Sequence, residues 1–151
     1  MGVNKCFTEY IIYSIIKLSN QQRKNKMANP IKYNDGSLEW YENNLLNRED
    51  GPAVKRADGL KIWYKGGKRH RLDGAAVEFP DGSTEWYKNG ELHRLDGPAI
   101  KGTGGSKHWF INGKRHRLDG PAIEWADGTK EWYKNGKKIL PINAEKGKQN
   151  D

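Results

Sequence analysis

Between residues 35 and 140, apolar and polar positions alternate in short runs separated by Asn-Gly, Asp-Gly or Gly-Gly pairs, and the order of runs returns every 23 residues. The tryptophans mark the step at Trp40, Trp63, Trp86, Trp109 and Trp132, each followed by an aromatic: Tyr41, Tyr64, Tyr87, Phe110 and Tyr133. One set of turn pairs falls at Asp35-Gly36, Asp58-Gly59, Asp81-Gly82, Gly104-Gly105 and Asp127-Gly128. A second falls at Asp50-Gly51, Asp73-Gly74, Asp96-Gly97 and Asp119-Gly120. A fixed period held without insertion marks a repeat architecture in which each unit packs on its neighbours. The runs are rich in β-branched and aromatic residues, and Asn-Gly and Asp-Gly supply the positive φ angles of tight hairpins. The pattern therefore predicts an all-β chain, a repeat meander or solenoid of about five units.

Two-residue loops at Asp81-Gly82, Asn89-Gly90 and Asp96-Gly97 would leave strands at 83–88, 91–95 and 98–103. A one-residue slip reverses every side chain, so register is the informative test. Counting from Asn89-Gly90 sets Lys88 opposite Glu91, Tyr87 opposite Leu92 and Trp86 opposite His93. Counting from Asp96-Gly97 sets His93 opposite Ile100 and Arg94 opposite Ala99; counting from Asp81-Gly82 sets Trp86 opposite Val77. The three agree in placing Val/Ile, Trp and His on one face, expected to be the core, and Ala, Tyr and Arg on the other. Pro52, Pro98 and Pro121 argue for a different geometry, because they follow Asp-Gly where a hairpin wants an N–H donor. The Asp-Gly-Pro stretch is then a corner stepping to the next layer, with one good hairpin per unit. Both geometries stand at this point.

Trp132-Tyr133-Lys134-Asn135-Gly136-Lys137, Lys114-Arg115-His116 and Ala126-Asp127-Gly128 together resemble a MORN-type repeat, also a 23-residue unit built on a β-hairpin. The resemblance runs from Asp35 to about Leu140. The chain departs from the usual pattern in holding Arg71, Arg94 and Arg117 after the histidines, and in a longer spacing from Asn112 to Asp127. It is closer to the divergent variant of bacterial and viral proteins. What the resemblance implies is a non-enzymatic scaffold or binding module.

The composition fits a single thin domain. Of 151 residues 34% are apolar, and the mean hydropathy is −1.01, too polar for a thick core. The net charge is +8, but residues 1–34 hold six Lys/Arg against Glu9, while 35–140 hold 19 basic and 16 acidic residues. Counted by stretch, the repeat body is nearly balanced, which weakens the case for a phosphate-binding stripe. A single Cys6 permits no internal disulfide, and a cytoplasmic protein (host cytoplasm if viral) is the expectation.

Three segments are expected: an extension at 1–27, the repeat domain at 28–142 and a polar tail at 143–151. In the extension Phe7 to Leu18 is an apolar run of 12 residues, too short to span a bilayer and without a prompt signal-cleavage site. Met1-Gly2 hints at myristoylation, although Cys6 stands where Ser or Thr is wanted. The extension reads as an amphipathic helix docked on the sheet, as an interfacial anchor with the basic residues 23–26, or as a mis-assigned start, since Met27-Ala28 directly precedes the array.

Candidate chemistry recurs with the period. His70, His93 and His116 precede Arg71, Arg94 and Arg117, with Arg48 in the matching slot of the first unit. These pairs suit phosphate, nucleotide or acidic protein. Equally they suit cross-strand structure, His against Trp and Arg against Glu (Glu85 with Arg94, Glu39 with Arg48). Asn47 and Ile139 fill the His slot elsewhere, so the slot does not require an imidazole. The Trp row suits aromatic boxes for cationic head groups or sugars, or a core row packed on Val54, Val77, Ile100 and Ile123. The row Tyr41, Tyr64, Tyr87, Phe110 and Tyr133 is the expected contact surface. Lys101 to Lys107 imitates a phosphate loop but has Ser106 where Gly is needed, and reads as a loosened turn. Calcium-loop spacing, a zinc cluster and a nucleophile with its own base are all missing from the sequence, so neither cofactor nor metal is expected. Active-site residues are usually unique, whereas these repeat, which argues against an enzyme. The reading that results is a non-enzymatic module contacting a protein partner, an inhibitor or adaptor in host–virus conflict. A binder of nucleic acid or phosphorylated nucleotides through the His-Arg pairs is the first alternative, and a cell-wall or membrane-surface repeat the second.

Overall fold

The computed structural model describes residues 29–141. The expected helical extension at 1–27 and tail at 143–151 therefore lie outside the described residues. Those described contain nineteen strands and no helix, all but two of the strands two residues long. Eleven form one long antiparallel sheet that meanders through the array without closing. In chain order they are β1 (Ile31–Lys32), β2 (Leu38–Glu39), β5 (Val54–Lys55), β6 (Lys61–Ile62), β9 (Val77–Glu78) and β10 (Thr84–Glu85). The series continues with β13 (Ile100–Lys101), β14 (Lys107–His108), β17 (Ile123–Glu124), β18 (Lys130–Lys134) and β19 (Lys137–Ile139). Four pairs stand as separate arms: β3–β4 (Tyr41–Glu42 with Leu45–Leu46), β7–β8 (Tyr64–Lys65 with Lys68–Arg69), β11–β12 (Tyr87–Lys88 with Glu91–Leu92) and β15–β16 (Phe110–Ile111 with Lys114–Arg115).

The arms are the hairpins the Asn-Gly pairs predict. Asn89 and Gly90 have φ of 55° and 89°, and Tyr87 pairs with Leu92 and Lys88 with Glu91, as expected. Two positive φ angles in succession match the right-handed strand twist, which is why Asn-Gly closes such a loop.

The other bends correct the expected register. At Asp81-Gly82 only the glycine has positive φ, at 86°, and Phe79 N–H bonds to Ser83 O while Gly82 N–H bonds to Phe79 O. The loop is thus three residues, Pro80-Asp81-Gly82, a turn followed by a left-handed glycine. The extra residue pairs Glu85, not Trp86, with Val77. Asp96-Gly97 is no hairpin at all. After it β13 pairs with β10 and β14, so His93 does not face Ile100, nor Arg94 Ala99. The Asp-Gly-Pro stretch is a corner, as its prolines argue, and each unit has two hairpins rather than three or one.

The corrected register divides the sheet into two rows. One face carries Ile31, Glu39, Val54, Ile62, Val77, Glu85, Ile100, His108, Ile123 and Glu131. The other carries Lys32, Leu38, Lys55, Lys61, Glu78, Thr84, Lys101, Lys107, Glu124 and Lys130. Val54, Ile62 and Val77 form the central cluster, with Leu46, Leu60, Tyr64, Phe79 and Tyr87 packed against it. Tyrosines, expected on the opposite face, therefore cover the aliphatic row, and the tryptophans are not in this cluster.

Trp is where the strand changes partner. Trp86 N–H bonds to Ala99 O across the sheet at 2.7 Å, while its own carbonyl accepts His93 N–H within the arm at 3.0 Å. The same handover recurs at Trp40, Trp63 and Trp109. Ala53, Ala76, Ala99 and Ala122, which receive these bonds, are completely buried. Replacing buried Ile123 by Ala should destabilise the domain by about 2–5 kcal/mol in urea unfolding, whereas Leu95→Ala should stay within about 0.5 kcal/mol of the parent because Leu95 is exposed.

Candidate protein-binding face

The corner that leads from arm to sheet has one construction in four units. The Arg94 guanidinium lies over the Trp86 ring at 3.9 Å, its Nε donates to Asp96 Oδ1 at 2.9 Å, and its Nη1 donates to Pro98 O. Arg48, Arg71 and Arg117 sit 4.0 Å over Trp40, Trp63 and Trp109. They bond to Asp50, Asp73 and Asp119, and to the carbonyls of Pro52, Ala75 and Pro121. A planar fork that stacks on indole while filling two acceptors is a task for Arg rather than Lys. The glycine is needed because the guanidinium lies against it: a Cβ on Gly74 would come 2.6 Å from Arg71 Cζ.

The carboxylate partners of these arginines differ from expectation. Arg71 adds Glu78 at 2.9 Å and Arg117 adds Glu124 at 3.1 Å. Glu85 instead approaches Arg69, and Glu39 pairs with Arg56, so neither expected pair (Glu85 with Arg94, Glu39 with Arg48) forms.

The histidines join successive units. Asn89 N–H donates to His70 Nδ1 at 3.1 Å, and the Asn89 side-chain amide lies 2.9 Å from the same nitrogen. His93 with Asn112 and His116 with Asn135 repeat the arrangement. In each case Nδ1 is the acceptor for the backbone N–H at the turn of the next arm. This explains the exceptions in the slot. Asn47 accepts the Gly66 N–H at 2.8 Å, where the next arm begins its turn with Gly instead of Asn. Ile139 faces no further arm among the described residues. The slot wants an acceptor for the following arm, not an imidazole.

The aromatic row is tied to the sheet in the same copy-specific way. Tyr41, Tyr87 and Tyr133 donate to Glu39, Glu85 and Glu131 at 2.7, 3.0 and 2.8 Å. Where the sheet position is Ile62, Tyr64 packs on the aliphatic cluster. Where it is His108, the aromatic is Phe110, which needs no acceptor, and His108 meets the edge of Trp125 at 4.8 Å. Glu39 is almost fully buried and accepts from Tyr33 as well as Tyr41 while pairing with Arg56. The Tyr41 hydroxyl, bonded to that carboxylate, is pushed up to about 12.

What remains outside is a residue the sequence reading did not single out. At each corner the Arg folds back over its Trp while the Asp it binds stays at the surface, and the residue between them points to solvent. It is Leu72, Leu95 and Leu118, exposed at 73%, 78% and 61%, with Glu49 in the first unit. Consecutive corners bracket open grooves: Trp63 floors one between Arg48 and Leu72, and Trp109 another between Leu95 and Leu118. The available signal was recurrence, since a Leu held between Arg and Asp-Gly at a 23-residue step sits in a turn, where an apolar side chain has no strand face to cover it. Among the described residues no three His, Cys, Asp or Glu converge as metal ligands would. Comparison with family models, curated proteins and solved structures finds no match for the chain.

Arg94→Lys keeps the charge but loses the fork and the stack, and should lower unfolding free energy by about 1–3 kcal/mol. Acid should loosen the fold in two stages. Burial, then Arg115, lowers the His108 pKa, so the native state resists a proton that the unfolded chain accepts below about 6.5. The hydrogen bonds from Arg71, Arg94 and Arg117 lower Asp73, Asp96 and Asp119 below their ordinary value of 3.8. In both cases the unfolded state binds more protons, so stability falls as pH falls. A thermal midpoint series from pH 7.5 to 3 should show a shallow decline below about 6.5 and a steeper one below about 4, with His108→Gln removing the first.

Proposed function

We propose that this chain is a non-enzymatic binding module that engages a protein partner along its row of Arg-Leu-Asp-Gly corners. The observation that carries the reading is the exposed series Leu72, Leu95 and Leu118, three large apolar side chains in equivalent places beside tryptophan-floored grooves. Scattered exposed leucines need no explanation, but apolar groups rimmed by charge and aligned by a repeat are the anatomy of a contact surface. Around them the Arg and Asp side chains form a fixed polar rim, already ordered in the free protein, which lowers the entropic cost of association.

The MORN-type resemblance supports the same reading, since such repeats serve mostly as scaffolds. Contact through Tyr41, Tyr64, Tyr87, Phe110 and Tyr133 would have to use ring edges, because three of the four hydroxyls are bonded to glutamates. Anion capture by His70, His93, His116 and the arginines would have to displace bonds these groups already make. Both therefore rank below the leucine row.

The test compares the parent with Leu72→Ser, Leu95→Ser and Leu118→Ser combined. Circular dichroism and the thermal midpoint should be unchanged. Retention of any partner purified from host lysate, measured after nuclease treatment, should weaken at least tenfold by surface plasmon resonance. Equal retention by the triple variant would move the contact elsewhere on the molecule.

A further inference from the structure

The repeat body is nearly neutral in total, yet its turns differ in charge. The three-residue loops with their closing residues line one rim of the sheet and carry Asp35, Asp58, Asp81 and Asp127, with Arg56 as their one cation, while Lys32, Lys55, Lys61, Lys101, Lys107 and Lys130 sit in the strands behind them. The arms leave from the other end of the strands, and their turns carry Lys65, Lys68, Lys88, Lys114, Lys134 and Lys137, all exposed. Against these stand Glu42 and Glu91. None of the six lysines forms an ion pair among the described residues, whereas Lys61, Lys107 and Lys138 do.

Stacking turns these lysines into a ridge. Gly67, Gly90, Gly113 and Gly136 donate their N–H groups to Leu46, Arg69, Leu92 and Arg115 of the preceding arm, at 2.8 to 3.0 Å. Lys68 and Lys114 lie beside the next turn, within 4 Å of where a Cβ on Gly90 or Gly136 would sit. Each unit adds two strands to the sheet, so the turns recur at steps of about 10 Å, and the span from Lys65 to Lys134 is about 30 Å. Lysines that their neighbours leave unneutralised repel one another in the free protein, and that repulsion is relieved by an anion of matching length.

We propose that this ridge binds the phosphate backbone of a double-stranded nucleic acid, without reading its bases. A ridge of about 30 Å approaches one turn of duplex, about 34 Å. The turns carry cations but no exposed aromatic, so they lack the stacking platforms that single strands need. They also lack the aromatic or acyl companion that steady attachment to a bilayer requires. Spaced cations on a duplex backbone need neither. The ridge meets the leucine row at Lys65, which also lines the groove beside Leu72; the serine variant of the leucines keeps every lysine, so the two proposals still fail independently.

The experiment measures fluorescence anisotropy of labelled 24-base-pair DNA and RNA duplexes with the full chain from 50 to 200 mM NaCl. If four to six phosphates are neutralised, affinity should fall by about 10²–10³-fold over that range. Lys65→Gln, Lys88→Gln and Lys134→Gln together should weaken binding at least tenfold at 50 mM and flatten the log–log salt slope by roughly 2.7. Lys55→Gln, Lys101→Gln and Lys130→Gln remove the same charge from the sheet face and should change affinity less than threefold. The ratio of DNA to RNA affinities assigns the duplex. Equal losses in both variants would overturn the proposal in favour of net charge alone. So would an unaffected ridge variant, which would point to the basic residues 23–26. Attachment to vesicles containing one-fifth phosphatidylserine without duplex binding, or no duplex binding at 50 mM, would overturn it as well.

Discussion

The guanidinium stacked on indole at each corner is the contact on which the rest of this fold depends. A unit must send its chain out of the sheet into an arm and bring it back to pair with the strand it left. The outward step is made by the Trp peptide, whose N–H and C=O serve different partners. The return step has no such backbone ladder: in three of the four corners a proline after Asp-Gly offers no N–H, and in the other the residue is Ala75. Arg48, Arg71, Arg94 and Arg117 supply what is missing: each holds the returning carbonyl, the turn carboxylate and the Trp that began the excursion. Without the latch the corner would be a loop of exposed carbonyls, and the spacing of sheet to arm would be undefined. Such a thin core, built around completely buried alanines, tolerates little variation in that spacing.

Much of this was legible because the period is rigid. The all-β class, the unit length and the arm hairpins all follow from Asn-Gly pairs and aromatic runs. The misreading came from taking Asp-Gly to close the same loop as Asn-Gly, when it performs two other tasks. Asn89-Gly90 takes two positive φ angles, Asp81-Gly82 takes one, and Asp96-Gly97 takes none. Asp-Gly is compatible with a two-residue loop and with a three-residue loop ending in a left-handed glycine, and the two differ by one residue of register. That single residue moved the tyrosines onto the aliphatic row. The expected pairs of Glu85 with Arg94 and Glu39 with Arg48 failed for another reason, because the strand leaves its arm partner at Trp86 and Trp40. Pro98 was the local clue to the corner. The leucine row and the lysine ridge were invisible for another reason: both depend on which residues stack between units, and counting charge by stretch averages that away.

Two departures from the repeat are matched in pairs, although Ile62 replaces Glu with Tyr64 kept. Asn47 replaces His where Gly66 replaces Asn, and Phe110 replaces Tyr where His108 replaces Glu. Phe110 lacks the hydroxyl where His108 lacks the carboxylate, and Asn47 keeps an acceptor for the Gly66 N–H. Buried polar atoms left single cost more than pairs removed together, so paired change is the form that variation takes in a thin sheet.

The stacking of arms also bears on how such an array changes size. Every strand pairs only with its sheet neighbours, and every arm is bonded to the one before it. Duplicating or excising a complete 23-residue block restores the same junction on both sides. An insertion of one or two residues inside a block would instead shift Trp, Arg and the next His slot out of reach of one another. Growth by whole modules is thus the only inexpensive edit, and reach along the leucine and lysine rows is graduated in fixed increments, like the marks on a ruler.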